Sequence, residues 1–350
     1  MAGRLAVITL IGLAAACAAP ATGGSAGAPD GVSGQSASAS GALRRSVGLP
    51  TLVSALIEPG AGMAPIYALL ASARHTLDLT MYELEDTRAE QLLAGDAALG
   101  VDVRVLLNST YTGSANGAAF SYLQGHGVRV RWASSQYALT HQKTLIVDGA
   151  VSVIMTLNWT SRYYLSTRDV AVVDRVRADI EAIETTFDAD YDGTPVNPPT
   201  GADLVWSPST SLPVLMSVID GAKRELDVEN EEMGDASVIR ALAAAARRGV
   251  NVQICMTDSS GWSSAFSELE RAGARVRVFS PDAALYVHAK VIVRDPGASD
   301  AVAFVGSQNF STESLTYNRE LGILLDSGVL IGQLSTMIRG DADSAAPWAG

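Results

Sequence analysis

The sequence predicts an α/β chain of mixed α+β type, built from two copies of one unit, each a mixed sheet flanked by helices. Three observations carry this expectation. The chain has 350 residues, 48% hydrophobic and 18% charged, which exceeds the needs of one ordinary domain and supplies ample core. It repeats itself at a fixed offset. Within each copy, short β-type runs alternate with helical patterns, the pattern of a sheet covered on both faces.

At the N-terminus, Arg4 precedes an apolar run over residues 5–16 that is too short to span a bilayer, followed by Cys17. Small residues Ala14, Ala15 and Ala16 complete the description of a signal peptide at 1–17, so export is expected. Cys17 is a candidate lipidation site resembling that of bacterial lipoproteins, although Ala14 stands where such sites usually carry Leu. Cleavage at an Ala-x-Ala site is the alternative, and the product would be periplasmic, membrane-anchored or secreted. Residues 18–48, mostly Ala, Gly, Ser and Pro, have flexible-linker composition. With only two cysteines, a disulfide framework and a Cys-based zinc site are excluded. Cys255 reads as a buried strand residue.

Two lobes follow, at 49–191 and 202–340, joined by a Pro- and Gly-rich linker at 192–201 and ending in a tail at 341–350. At an offset of 149, Leu77-Asp78 meets Leu226-Asp227, Asp86 meets Asp235, and Gly100-Val101 meets Gly249-Val250. A period this long denotes a duplicated domain rather than a solenoid. In the first copy, residues 63–73 show a helical period and 76–82 a strand. Residues 88–99 form a helix stopped by Gly100, and 101–107 another strand. The second copy repeats this, with an Ala-rich helix at 236–248 stopped by Gly249.

Against 25 Lys+Arg stand 37 Asp+Glu, a formal net charge of −12. General nucleic-acid affinity, which rests on cations neutralising phosphates, is therefore disfavoured. Arg129, Arg131, Arg162 and Arg168 are the candidates for a local basic groove. The chain has three lysines, and two of them follow a histidine, in His141-Gln142-Lys143 and His288-Ala289-Lys290. On a strand, positions i and i+2 share a face, so each pair points into one space. Five residues after each lysine comes an acid of turn type, Asp148 and Asp295. Then follow Met155-Thr156-Leu157-Asn158 and Gly306-Ser307-Gln308-Asn309, and eleven residues past each Asn another acid, Asp169 and Glu320. His75 and His126 have no such company. Glu229, Glu231 and Glu232 read as solvated acids at a strand end. Trp159, Tyr163, Tyr164, Phe310 and Tyr317 line an apolar mouth or belong to the core.

This constellation resembles the phospholipase D superfamily, whose signature is His-x-Lys-x4-Asp followed by Gly-Ser-x-Asn. The resemblance covers nearly all of residues 53–325. The second motif has four extra residues between Asp295 and Gly306, and the first carries Met155 for Gly and Thr156 for Ser. It implies duplicated phospholipase D-like lobes with one active site at the pseudo-twofold interface. It also implies a catalytic set of His141, Lys143, Asn158, Asp169, His288, Lys290, Asn309 and Glu320, with Thr156 and Ser307 binding or supporting the phosphate. Asp148 and Asp295 are read as structural.

A phosphodiester needs a nucleophile, a proton donor and fixed positive charge. One imidazole forms a phosphohistidine and the other protonates the leaving oxygen; resemblance makes His141 the nucleophile and His288 the acid/base, while symmetry leaves that order open. Lysines and asparagines hold the oxygens, so no metal and no cofactor is expected. The expected activity is phospholipase D-type hydrolysis of a phospholipid at a membrane surface, by a monomer, since both half-sites lie in one chain. The alternatives are a secreted or periplasmic nuclease, a cardiolipin synthase-like phosphatidyl transferase, and an inactive binding lobe, which the persistence of both motifs disfavours.

Overall fold

The computed structural model describes residues 52–350. The predicted signal peptide, the linker and Cys17 lie outside the described residues.

Alternating apolar positions and helix-stopping glycines produce two eight-stranded sheets of matching topology. In the first, the order is Val53–Glu58, Thr167–Asp174, Val151–Met155, Thr144–Val147, Thr76–Met81, Asp102–Leu107 and Arg129–Trp132. The second runs Leu204–Ser207, Glu320–Leu325, Val302–Gly306, Val291–Arg294, Glu225–Glu229, Asn251–Thr257 and Arg275–Phe279. Position by position the two orders agree. In each sheet the last three of these strands are parallel and the others antiparallel, which is the mixed arrangement expected.

Short helices cover the outer faces. Asp86 caps the helix Thr87–Ala98 by accepting from the amides of Arg88 and Ala89, and Asp235 caps Ala236–Arg247 through Ser237 and Val238. The repeated Asp of the sequence is thus a repeated helix start. Facing each other, the two sheets share an inner core with the helices Arg177–Asp192 and Gly328–Ser344. Ile146, Val172 and Ile183 of the first copy pack there with Val291, Ile323 and Leu334 of the second. Cys255 is buried in its strand, as expected. Among the described residues no helix is long and apolar enough to cross a membrane.

Residues 341–350 are not a tail. Helix Gly328–Ser344 runs through the first four of them, and Ala346–Pro347 pair with the edge strand Arg275–Phe279. Buried Ala342, Ala345 and Asp341 hold the segment down.

Strands are also exchanged between the copies. Tyr286–Val287 pairs in parallel with Thr167–Arg168 of the first sheet, and Thr140 bridges Arg319 in the reciprocal place. These two crossings bring the His-x-Lys segments together.

Candidate active site

Each His-x-Lys segment lies immediately before its strand, not within it, because its backbone is bound to the opposite copy. The amides of His141 and Gln142 donate to Arg319 O at 2.9 and 3.1 Å, and that of His288 donates to Arg168 O at 3.1 Å. Each lysine folds back onto the main chain of its own histidine: Lys143 Nζ donates to His141 O at 2.6 Å, and Lys290 Nζ to His288 O at 2.5 Å.

The carboxylates are crossed. His141 Nδ1 lies 2.9 Å from Glu320 Oε2 and 3.1 Å from the Ser307 carbonyl. Both neighbours only accept, so Nδ1 carries the hydrogen, and in the neutral ring Nε2 is left with its lone pair. His288 Nδ1 lies 2.7 Å from Asp169 Oδ1 of the first copy. Neither copy therefore supplies the Nδ1 carboxylate of its own histidine.

Thr156 supports one of these carboxylates directly, and Ser307 the strand that carries the other. Thr156 Oγ1 donates to Asp169 Oδ1 at 2.6 Å and accepts from the Val170 amide at 2.9 Å. Ser307 Oγ pairs with the backbone of Leu321. Both residues are fully buried, and of the two roles expected for them, binding or support, these buried partners fit support. Met155 departs from the Gly of the signature for a packing reason. At Gly306 an added Cβ would fall 2.6 Å from Gly322 Cα and 2.8 Å from Phe304 Cζ. In the first copy Met155 is buried in the core, with its sulfur 3.4 Å from Trp159 Nε1, and does not reach the site.

Asp148 and Asp295 stand in matching turns, at φ 52° and 47°. Asp148 accepts from the amides of Arg74, His75 and Thr76, and Asp295 from those of Lys223, Arg224 and Glu225. Both tie turns to strand starts. The backbone N–H of Asn309 donates to Ser314 Oγ, and Asn158 Oδ1 and Asn309 Oδ1 are buried without a partner.

Charge within the site is finely opposed. Burial lowers the pKa of His141 from its usual value, Lys143 adds to the effect and Glu320 resists it. Burial likewise pushes Lys143 well below the usual lysine range, an effect that an arriving anion reverses. For Asp169 and Glu320 burial works against ionisation, but His288 and His141 respectively, aided by a lysine, outweigh it and hold both carboxyls low.

Three site neighbours escaped sequence reading. Glu231, expected in solvent, binds Lys290 Nζ at 2.9 Å and lies 3.5 Å from His288 Nε2. Glu229 is fully buried, and burial beside Asp341 raises its pKa well above normal. Tyr82 packs edge-on to His141, centroids 4.6 Å apart, with Lys143 Nζ 4.9 Å from its ring centre. Of the aromatic set, Trp159 and Phe310 are core, whereas Tyr163 and Tyr317 are exposed. Tyr164 instead donates to Asp86.

Glu320→Gln should move the acidic limb of kcat/KM to lower pH. The carboxylate raises the pKa of His141, so its removal keeps that imidazole neutral further into acid. Losing an orienting carboxylate should also lower kcat about 10–100-fold. A limb that moves upward, measured on a soluble diester, contradicts the pairing.

A family model described as "Cardiolipin synthase, PLD-like domain" matches residues 66–191 and 215–341. The chain is 24% identical over 336 residues to cardiolipin synthase A of Pseudomonas entomophila, covering 84% of this chain and 69% of that one. It is 28% identical over 120 residues to mitochondrial cardiolipin hydrolase of Xenopus tropicalis, covering 34% of this chain and 56% of that protein. In fold it is similar to the crystal structure of phosphatidylserine synthase from Haemophilus influenzae Rd KW20. There the TM-score is 0.65 at 12% identity, covering 85% of this chain and 87% of the other.

Proposed function

Because the chain belongs to the phospholipase D superfamily, whose members act on phosphodiesters as hydrolases or transferases, we propose that it cleaves a phospholipid phosphodiester through a phosphohistidine. The crossed carboxylate–imidazole pairs carry this reading, since they leave the Nε2 of each histidine to react. His141, kept neutral by burial, attacks phosphorus through Nε2. As the bond from phosphorus to the leaving oxygen breaks, His288 gives that oxygen the proton on its own Nε2. His288 then takes a proton from water, whose oxygen attacks phosphorus, breaks the phosphorus–nitrogen bond and restores His141. Lys143, Lys290, Asn158 and Asn309 hold the non-bridging oxygens.

Lipid rather than nucleic acid is favoured because the candidate groove arginines are already paired with acids. Arg129 pairs with Asp102, Arg131 with Asp192, Arg162 with Glu83 and Glu85, and Arg168 with Asp341. Tyr163, Leu165, Tyr286 and Tyr317 stand exposed on segments flanking the strand crossings, an apolar rim suited to a bilayer surface. The apolar run at 5–16 supports action at an exported or tethered location. A second reading, transfer to an alcohol in place of water, is favoured by the likeness to cardiolipin synthase A along most of the chain.

Phosphatidylglycerol vesicles and single-stranded DNA, each with excess chelator, test both. Phosphatidic acid is the expected product, with DNA intact; cardiolipin in its place selects transfer. DNA cleavage with untouched lipid overturns the substrate, and activity restored only by added metal overturns the mechanism.

A further inference from the structure

Among the differences between the two half-sites, one changes what the lysine meets. At the offset of 149, Tyr82 of the first copy answers Glu231 of the second. Tyr82 gives Lys143 the face of a ring, with no carboxylate in that place. Glu231 does the opposite. Its Oε2 lies 2.9 Å from Lys290 Nζ, 3.5 Å from His288 Nε2 and 3.5 Å from Asn309 Nδ2. Its Oε1 accepts from the Tyr286 hydroxyl at 3.1 Å. A lysine, an asparagine amide and the free nitrogen of a histidine are the groups that a phosphoryl oxygen would use in this half of the site. A carboxylate, with two oxygens sharing one negative charge, is the protein side chain that best imitates that ligand.

We propose that Glu231 is an internal competitor for the phosphate subsite of the second copy, displaced from Lys290 and Asn309 when a phosphodiester or phosphate monoester binds. The proposal rests on the phosphoryl-transfer reading of the site. Burial alone would disfavour an ionised Glu231, but Lys290 and His288 outweigh it and hold the carboxyl below the usual range, so the competitor is charged. It weakens ground-state binding of substrate and speeds release of the phosphorylated product, because the subsite is free for only a fraction of the time. With the side chain about a quarter exposed, a rotation toward the cleft mouth vacates the lysine without disturbing the core.

Inorganic phosphate titrated calorimetrically against the full chain tests this independently of any diester. Glu231→Gln should bind phosphate at least ~10-fold more tightly than the wild type, and Glu231→Tyr, which copies the first half-site, should do likewise. With a turned-over diester, KM should fall by a similar factor while kcat changes less. Unchanged or weaker phosphate binding in a folded Glu231→Gln protein overturns the proposal. So does a fall in kcat at constant KM, which would make Glu231 a positioning group for His288. If no diester is turned over, the proposed function fails, yet the phosphate titration still decides the role of Glu231.

Discussion

His141→Ala and His288→Ala should each lower turnover by at least ~10^4-fold while the protein stays folded, because nucleophile and acid come from different copies and act as a unit. The folded state survives because neither partner carboxylate is orphaned. Without His141, Glu320 still accepts from Ser314 Oγ at 2.6 Å and Asn318 Nδ2 at 3.1 Å. Without His288, Asp169 keeps Thr156 Oγ1 at 2.6 Å. Turnover on a diester and thermal unfolding should be measured side by side. A covalent phosphoenzyme trapped with an activated substrate in His288→Ala, and absent in His141→Ala, identifies His141 as the nucleophile. Either single variant turning over within tenfold of the wild type ends the two-histidine mechanism.

The largest expected stability effect lies in a buried ion pair behind the site. Arg319→Ala should destabilise the chain by about 3–5 kcal/mol, because removing one partner of a buried pair leaves an uncompensated charge. Arg319 Nη2 donates to Asp190 Oδ1 at 3.0 Å, and Nε lies 2.8 Å from Oδ2 as an ion-pair contact, with the arginine side chain 1% exposed. Its guanidinium carbon also lies 4.2 Å from the Tyr137 ring centre. The pair joins the second copy to the first, and Arg168 with Asp341 repeats it in reverse, at 2.5 Å but 15% exposed. Arg168→Ala should therefore cost less.

The pH dependence has a definite sign. Burial already raises the carboxyl of Asp190, with Arg319 opposing it. Without the arginine the charged form is penalised further, so the deficit should be largest near neutrality and shrink as acid protonates Asp190. Denaturant unfolding at neutral and mildly acidic pH reads this out. Arg319→Met combined with Asp190→Leu should recover most of the loss. A deficit independent of pH, or no recovery in the double variant, would contradict the assignment.

Much of this architecture is legible in local chemistry. Asp86 and Asp235, Gly100 and Gly249, and the two His-x-Lys pairs each report a cap, a helix stop or a reactive pair that a few neighbouring residues decide. Long-range pairing is not written locally. Nothing near His141 says that its carboxylate is Glu320 rather than Asp169, because the choice is made by strands exchanged between the copies. The same exchange drew the His-x-Lys backbones out of the strands expected for them. Glu231 and Glu229 look like solvated acids because a strand end is usually wet; here the second copy's own lysine and its last helix close over them. A signal for Glu231 did exist, in its contrast with Tyr82, since a position that differs between matched repeats marks where the halves do different work. Residues 341–350 read as a tail because a short Ala-rich segment after a helical run gives no sign of the sheet edge it meets.

The crossing of carboxylates also bears on how such a site acquires direction. A lone copy would have an imidazole with no carboxylate on its Nδ1, and two separate copies would supply one only as a self-complementary dimer. Every residue of such a dimer appears twice, related by the axis, so its cleft reads the same from either end. Covalent fusion lifts that constraint. Once joined, the halves are free to drift apart, and they have: Tyr82 faces Glu231, Thr156 faces Ser307, and Asp169 faces Glu320 across the former axis. The site then has two distinguishable ends, and an unsymmetrical diester of the kind proposed above would meet a different set of groups at each.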